Sequence, residues 1–67
     1  MNEERIQAIH ALARSALEAG HLTEQTARSW LVANDPRLRR DRYFERVFFD
    51  IYGMQLTYRR LRQIYRN

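Results

Sequence analysis

The chain has 67 residues, a mass of 8.2 kDa, no cysteine and a formal net charge of +4. A chain this short forms one domain and buries only ~60% of its unfolded surface, so it often depends on a disulfide, a metal or a partner for stability. The lack of cysteine excludes disulfides, thiolate metal sites and thiol catalysis. A hydrophobic content of 45% is too high for a disordered chain, and no apolar run approaches the ~18 residues of a membrane span. We expect a single domain over residues 1–67, located in the cytoplasm because the N-terminus lacks an apolar signal region.

The first predicted element is a helix over residues 2–19. Apolar residues recur at three- and four-residue steps from Ile6 to Leu17, and alanines between them add helix propensity. Asn2 is suited to cap the start of this helix. Gly20 is suited to end it, because glycine adopts positive φ without strain.

A second helix is predicted over residues 24–33. Thr23 precedes it and is a favourable N-cap residue. Its inner face would consist of Ala27, Trp30 and Leu31, which lie at helical spacing.

Two further helices are predicted over residues 36–52 and 58–66. Pro36 cannot continue the preceding helix but fits the first position of a new one. Gly53 is interpreted as the end of the third helix, and Thr57 as the cap of the fourth. No segment shows two-residue alternation, so the sequence predicts an all-α fold, a compact bundle of four short helices.

The third predicted helix has more apolar residues than one buried face can hide. Exposed aromatic patches usually mark an interface, so we expect a homodimer or a different partner chain. The alternative is that the first two helices cover the apolar stripe completely. The side chains predicted for the apolar interface are Tyr43, Phe49 and Tyr52.

All positive charge comes from 12 arginines, and they are unevenly distributed. Residues 1–34 have a net charge of −1, whereas residues 35–67 have nine arginines against four carboxylates, a net charge of +5. Guanidinium groups suit phosphates and carboxylates, which predicts a basic binding surface if the third and fourth helices pack antiparallel. The alternative is a solvated face partly neutralised by carboxylates one turn away. The residues predicted to bind nucleic acid or a partner are Arg39, Arg42, Arg46, Arg59, Arg60, Arg62 and Arg66.

Residues 16–30 resemble a helix-turn-helix segment. A small residue precedes the turn glycine by four positions, and a capped second helix follows. That likeness implies that Gln25, Arg28 and Ser29 face the DNA groove, together with Thr23. The alternative is an ordinary pair of helices in which Gly20 and Thr23 serve only as caps.

Residues 22–38 resemble the Hha/YmoA family of small nucleoid-associated proteins. The residues that match its pattern are Leu22, Thr23, Trp30, Ala33, Asp35, Arg37 and Leu38. The resemblance implies an all-helical protein that binds nucleoid proteins of the H-NS type and modulates gene silencing. It also implies that Asp35 and Arg37 contact the partner.

Enzymatic activity is not expected. His10 and His21 are the only candidate bases besides carboxylates, and no serine stands at a recognisable spacing to either. Neither glycine belongs to a phosphate-binding loop. The sequence therefore predicts no catalytic, cofactor-binding or metal-binding residue, and no membrane or small-molecule substrate.

Two functions remain open at this point. The first is a non-enzymatic regulatory protein that acts on DNA or on a DNA-bound protein complex through an arginine-rich helical surface. The second is an adaptor or inhibitor, such as a phage or plasmid protein, that docks on a host protein complex without contacting nucleic acid.

Overall fold

The computed structural model describes residues 3–34 and 41–66, and this part of the chain consists of three helices. They are α1 (Glu3–Glu18), α2 (Glu24–Asn34) and α3 (Arg42–Tyr65). The described residues contain no strand, so the all-α class is confirmed. The prediction of four helices is wrong.

The end of α1 is fixed by hydrogen bonds around Gly20. Its φ of 90° is the only positive φ among the described residues. The Gly20 N–H donates to the carbonyl of Leu17, and the His21 N–H donates to the carbonyl of Ala16, each at 3.0 Å. These two bonds form a Schellman motif, which confirms the predicted role of the glycine.

The start of α2 is capped by Thr23, as the sequence predicts. Thr26 donates its backbone N–H to Thr23 Oγ1 at 3.2 Å, and its hydroxyl donates to the Thr23 carbonyl at 3.1 Å. From this start α2 buries Ala27 and Leu31 and half-buries Trp30. The predicted inner face is therefore the face that packs inward.

The predicted break at Gly53 does not exist, because α3 runs through it for 24 residues. A glycine inside a helix costs roughly 1 kcal/mol relative to alanine, but it removes no hydrogen-bonding group. Packing compensates, because Tyr52 is buried on one side of the glycine and Gln55 bonds to α1 on the other. Thr57 is consequently an interior helical residue and not a cap.

Asp41 caps the start of α3. Its Oδ1 accepts a hydrogen bond of 2.9 Å from the Phe44 N–H. The predicted start of the third helix at Pro36 and the predicted cap Asn2 lie outside the described residues.

The core forms where α1 packs against α3, with α2 closing one side. The Phe48 ring stacks on Tyr52 with centroids 6.0 Å apart and meets Phe49 edge to face at 5.0 Å. The Tyr52 hydroxyl donates to the His21 carbonyl at 2.7 Å, which ties α3 to the turn after α1. The buried residues are Ile9, Ala13, Ala16, Leu17, Ala27, Leu31, Phe48, Ile51 and Tyr52.

The helix α3 is too long for the rest of the fold to cover. At 1.5 Å per residue it spans about 36 Å, against about 24 Å for α1. We call residues 42–53 the proximal half of α3 and residues 54–66 the distal half, which includes the capping residue after the helix. All three buried residues of α3 lie in the proximal half, and residues 57–66 are exposed without exception. No helix in the described ranges has the length and apolar character needed to cross a bilayer.

Candidate partner-binding site

The distal half of α3 exposes a row of large apolar side chains, which we call the distal stripe. The spacing between its members is four, three and four residues, so they lie within about 60° of one another around the helix. Their exposed fractions are 62% for Met54, 64% for Tyr58, 44% for Leu61 and 82% for Tyr65. Such a contiguous row is unusual on the surface of a monomer and is typical of an interface.

The distal stripe continues a row that begins in the core. Val47 and Ile51 precede Met54 at the same four- and three-residue steps. Ile51 is buried and Val47 packs against the core cluster. A row with this alternating spacing is the heptad seam by which helices pack side by side. The fold therefore covers the first part of one seam and leaves the remainder open.

Four arginines share the distal half with the distal stripe. The distal half contains Arg59, Arg60, Arg62 and Arg66 and no carboxylate residue. Arg59, Arg62 and Arg66 lie within about 60° of one another, with Arg62 nearest to the stripe, whereas Arg60 lies on a separate side of the helix. Within residues 3–34 and 41–66, none of the four forms an ion pair.

Arg59 is also held by the end of α1. Its Nη1 donates to the Leu17 carbonyl at 3.2 Å. That carbonyl belongs to the last turn of α1, where the helix dipole favours a cation. The contact places a guanidinium at the junction between the two helices.

The condition for the predicted single basic surface is not met, because residues 58–65 continue α3 and do not form an antiparallel fourth helix. In the continuous α3, Arg46 and Arg59 are 13 residues apart, or about 20 Å along the axis. Arg42 and Arg46 are exposed on the proximal half and form a separate group. Arg39 lies outside the described residues.

A groove of about 740 Å³ lies between α1 and the start of the distal half. Gln55 fixes one wall by donating its Nε2 hydrogen to the His10 carbonyl at 3.1 Å. Two members of the distal stripe line it, so groove and stripe are continuous. Its lining includes three arginines and one carboxylate: His10, Arg14, Leu17, Glu18, Met54, Gln55, Tyr58, Arg59 and Arg62.

Sequence reasoning missed the groove and most of the stripe. Arg14 was not among the predicted site residues, because its place in the groove depends on the packing of α1 against α3. Met54 and Tyr58 were not among them either, because Gly53 was interpreted as a helix end. The signal that identifies them is the unbroken heptad spacing from Val47 to Tyr65, which extends across the glycine.

The predicted helix-turn-helix face does not present Arg28 to solvent as a free cation. Arg28 forms ion pairs with Glu24, at 3.1 Å, and with Glu45 of α3. Its guanidinium also lies 4.5 Å from the centre of the Phe49 ring. The Ser29 hydroxyl donates to the Gln25 carbonyl at 3.3 Å, and both residues are exposed. Arg28 thus connects α2 to α3.

The three residues predicted for an apolar interface have different surroundings. Tyr52 is buried, and burial raises the pKa of its hydroxyl above the usual 10.0. Phe49 is half-buried beneath Arg28, whereas Tyr43 is exposed. Asp35 and Arg37 lie outside the described residues.

Two further searches, for a metal-binding group among the described residues and for similar proteins, give no match. The described ranges hold no group of three or more histidine, aspartate or glutamate residues placed to bind a metal ion. No protein-family model, curated protein or solved structure matches the chain. The resemblance of residues 22–38 to the Hha/YmoA family therefore stays a prediction.

Proposed function

We propose that this chain is a small non-enzymatic regulatory protein that docks on another protein through the distal half of α3. The observation that supports this proposal is the distal stripe, an exposed heptad row that continues a row packed in the core. Aromatic and arginine side chains dominate the energetics of protein interfaces, and both types are concentrated here. Phosphate contacts alone would not require exposed leucine and methionine in register.

Direct DNA binding is the second candidate function. It is favoured by the four distal arginines, which have no carboxylate partner within the described residues. A DNA-bound protein complex would engage both features, with the stripe on the protein and arginines near phosphates. The two candidates therefore differ in whether the stripe or the charge dominates binding.

Affinity capture from the native host tests protein docking. The bait proteins are the wild type, a Tyr58→Ala/Leu61→Ala variant of the stripe and a Tyr43→Ala/Leu22→Ala control. The control removes two exposed apolar side chains that lie outside the stripe. We expect the wild type and the control to retain a common partner protein and the stripe variant to lose at least nine-tenths of it. Equal retention by all three baits would contradict docking through the stripe.

Titration with duplex DNA at near-physiological salt tests the second candidate. The matched variants are Arg59→Ala/Arg62→Ala and Arg42→Ala/Arg46→Ala, which remove equal charge from the two halves of α3. Direct binding predicts a dissociation constant below ~100 μM that weakens mainly in the distal variant, with a shallower dependence on salt. No binding below that limit excludes direct recognition of DNA.

A further inference from the structure

We infer that the partner segment is an acidic amphipathic helix that lies along the distal stripe. This inference rests on the proposed function and specifies the chemistry of the partner. The partner's apolar residues would continue the seam that α1 covers in the proximal half. Its carboxylates would face Arg62, and one would enter the groove that Arg14 and Arg59 line.

The length and spacing of the stripe favour a helix as the occupant. Met54 and Tyr65 are 11 residues apart, so the stripe is about 17 Å long, or about three turns. Side chains at alternating three- and four-residue steps fit between those of a second helix that crosses at a small angle. A partner helix of about 11 to 14 residues covers this length.

The charge of the surface favours an acidic partner. Residues 54–66 have a net charge of +4, and the groove adds Arg14, whose charge is offset by that of Glu18. A second copy of this chain would bring another +4 to the same interface and no carboxylate from its own distal half. Carboxylates instead form paired hydrogen bonds with guanidinium groups, which are strongest where apolar contacts exclude water.

The groove gives the partner helix a fixed position along the stripe. Its lining combines the buried Leu17, the stripe residue Tyr58 and the guanidinium of Arg59 already oriented by α1. A glutamate of the partner can pack its methylene groups on the apolar side chains while its carboxylate meets the arginine. The groove therefore selects both the charge and the register of the occupant.

The probe for this inference is a fluorescent synthetic helical peptide of 21 residues with leucine at the a and d positions and glutamate at the e and g positions. One control peptide replaces every such glutamate with glutamine, and a second keeps the composition but moves the leucines out of heptad register. We expect micromolar binding of the first peptide, measured by anisotropy, and at least tenfold weaker binding of both controls. Equal affinity for the glutamate and glutamine peptides overturns the acidic character of the partner, and equal affinity for the out-of-register peptide overturns the helical seam.

Matched variants of the protein locate the binding. We expect Tyr58→Ala to weaken binding of the acidic peptide at least fivefold and Tyr43→Ala to leave it unchanged. Likewise, Arg59→Ala/Arg62→Ala should weaken it at least tenfold, and Arg42→Ala/Arg46→Ala less than twofold. Circular dichroism checks that each variant is folded. Equal losses in the proximal and distal variants overturn the assigned site.

Sedimentation equilibrium distinguishes the remaining occupants. A wild-type monomer at 100 μM supports the inference, whereas a dimer that Leu61→Ala dissociates shows that a second copy occupies the stripe and overturns it. The inference is also overturned if duplex DNA competes with the peptide and the affinity for DNA is unchanged by Tyr58→Ala. If host capture depends on the stripe but the peptides are not discriminated, the inference fails and the proposed function stands.

Discussion

The two halves of α3 have the same apolar row but different surroundings. In the proximal half, Ile51 of this row is buried in one cluster with Phe48 and Tyr52, and Val47 of the row packs against that cluster. In the distal half, the row continues at the same spacing and every residue from 57 to 66 is exposed. The comparison shows that the sequence specifies a seam for helix packing along most of α3, while the described fold supplies a covering helix for only part of it.

The largest expected difference between the halves is in core stability. Phe48→Ala removes a completely buried ring, which typically costs 3–5 kcal/mol, a large part of the stability of a small domain. Leu61→Ala removes an exposed side chain, and we expect a change within about 0.5 kcal/mol. Urea unfolding followed by circular dichroism measures both. A Leu61→Ala loss comparable to that of Phe48→Ala would show that the distal half is packed.

The next largest expected difference in stability is between alanine substitutions at the two glycines. Gly20→Ala forces a side chain into positive φ, and we expect a loss of roughly 1–2 kcal/mol although no neighbouring atom blocks a Cβ there. Gly53→Ala lies inside α3, where a Cβ also meets open space, and we expect a gain of about 0.5–1 kcal/mol. Thermal unfolding of both variants shows whether each substitution raises or lowers the stability. A loss at Gly53→Ala would favour the helix end that the sequence suggests and would contradict a continuous α3.

Tyr52→Phe tests a hydrogen bond that only the proximal half makes, from the Tyr52 hydroxyl to the turn after α1. The variant removes the hydroxyl that donates to the His21 carbonyl, so we expect a loss of about 1 kcal/mol at pH 7. Because burial raises the pKa of this hydroxyl in the folded state, its stabilising contribution is complete below pH 10 and declines as the pH rises above 10. The gap between wild type and variant should therefore narrow from pH 7 to pH 11 in chemical denaturation. A gap that widens would contradict a buried neutral tyrosine.

Local patterns predicted the packed part of the molecule well. The periodicity of α1, the glycine after it and the threonine before α2 each depend on interactions within a few residues, so the sequence alone indicates them. Gly53 misled the prediction because a glycine ends a helix or interrupts it depending on tertiary packing, here the burial of Tyr52 and the bond from Gln55 to α1. The same error split the heptad row and hid the distal stripe.

The arginines of the candidate site also show that local sequence does not predict contacts that depend on tertiary packing. Arg59, Arg60, Arg62 and Arg66 were predicted from charge and their exposure is found in the structure. The role of Arg28 was not predictable, because its ion pair with Glu45 and its contact with Phe49 depend on how α2 packs on α3. Arg14 and Arg62 line the same groove, and that arrangement likewise depends on the pairing of α1 with α3.

The most direct test of the central claim is amide hydrogen exchange of the protein with and without its captured partner. Docking through the distal half predicts that the partner slows exchange across residues 54–66, which we expect to be the least protected part of α3 in the free protein because residues 57–66 are all exposed. Residues 24–34 of α2 should exchange at unchanged rates. Protection confined to α2, with residues 54–66 exchanging as fast as in the free protein, would contradict the assignment of the distal half as the docking surface.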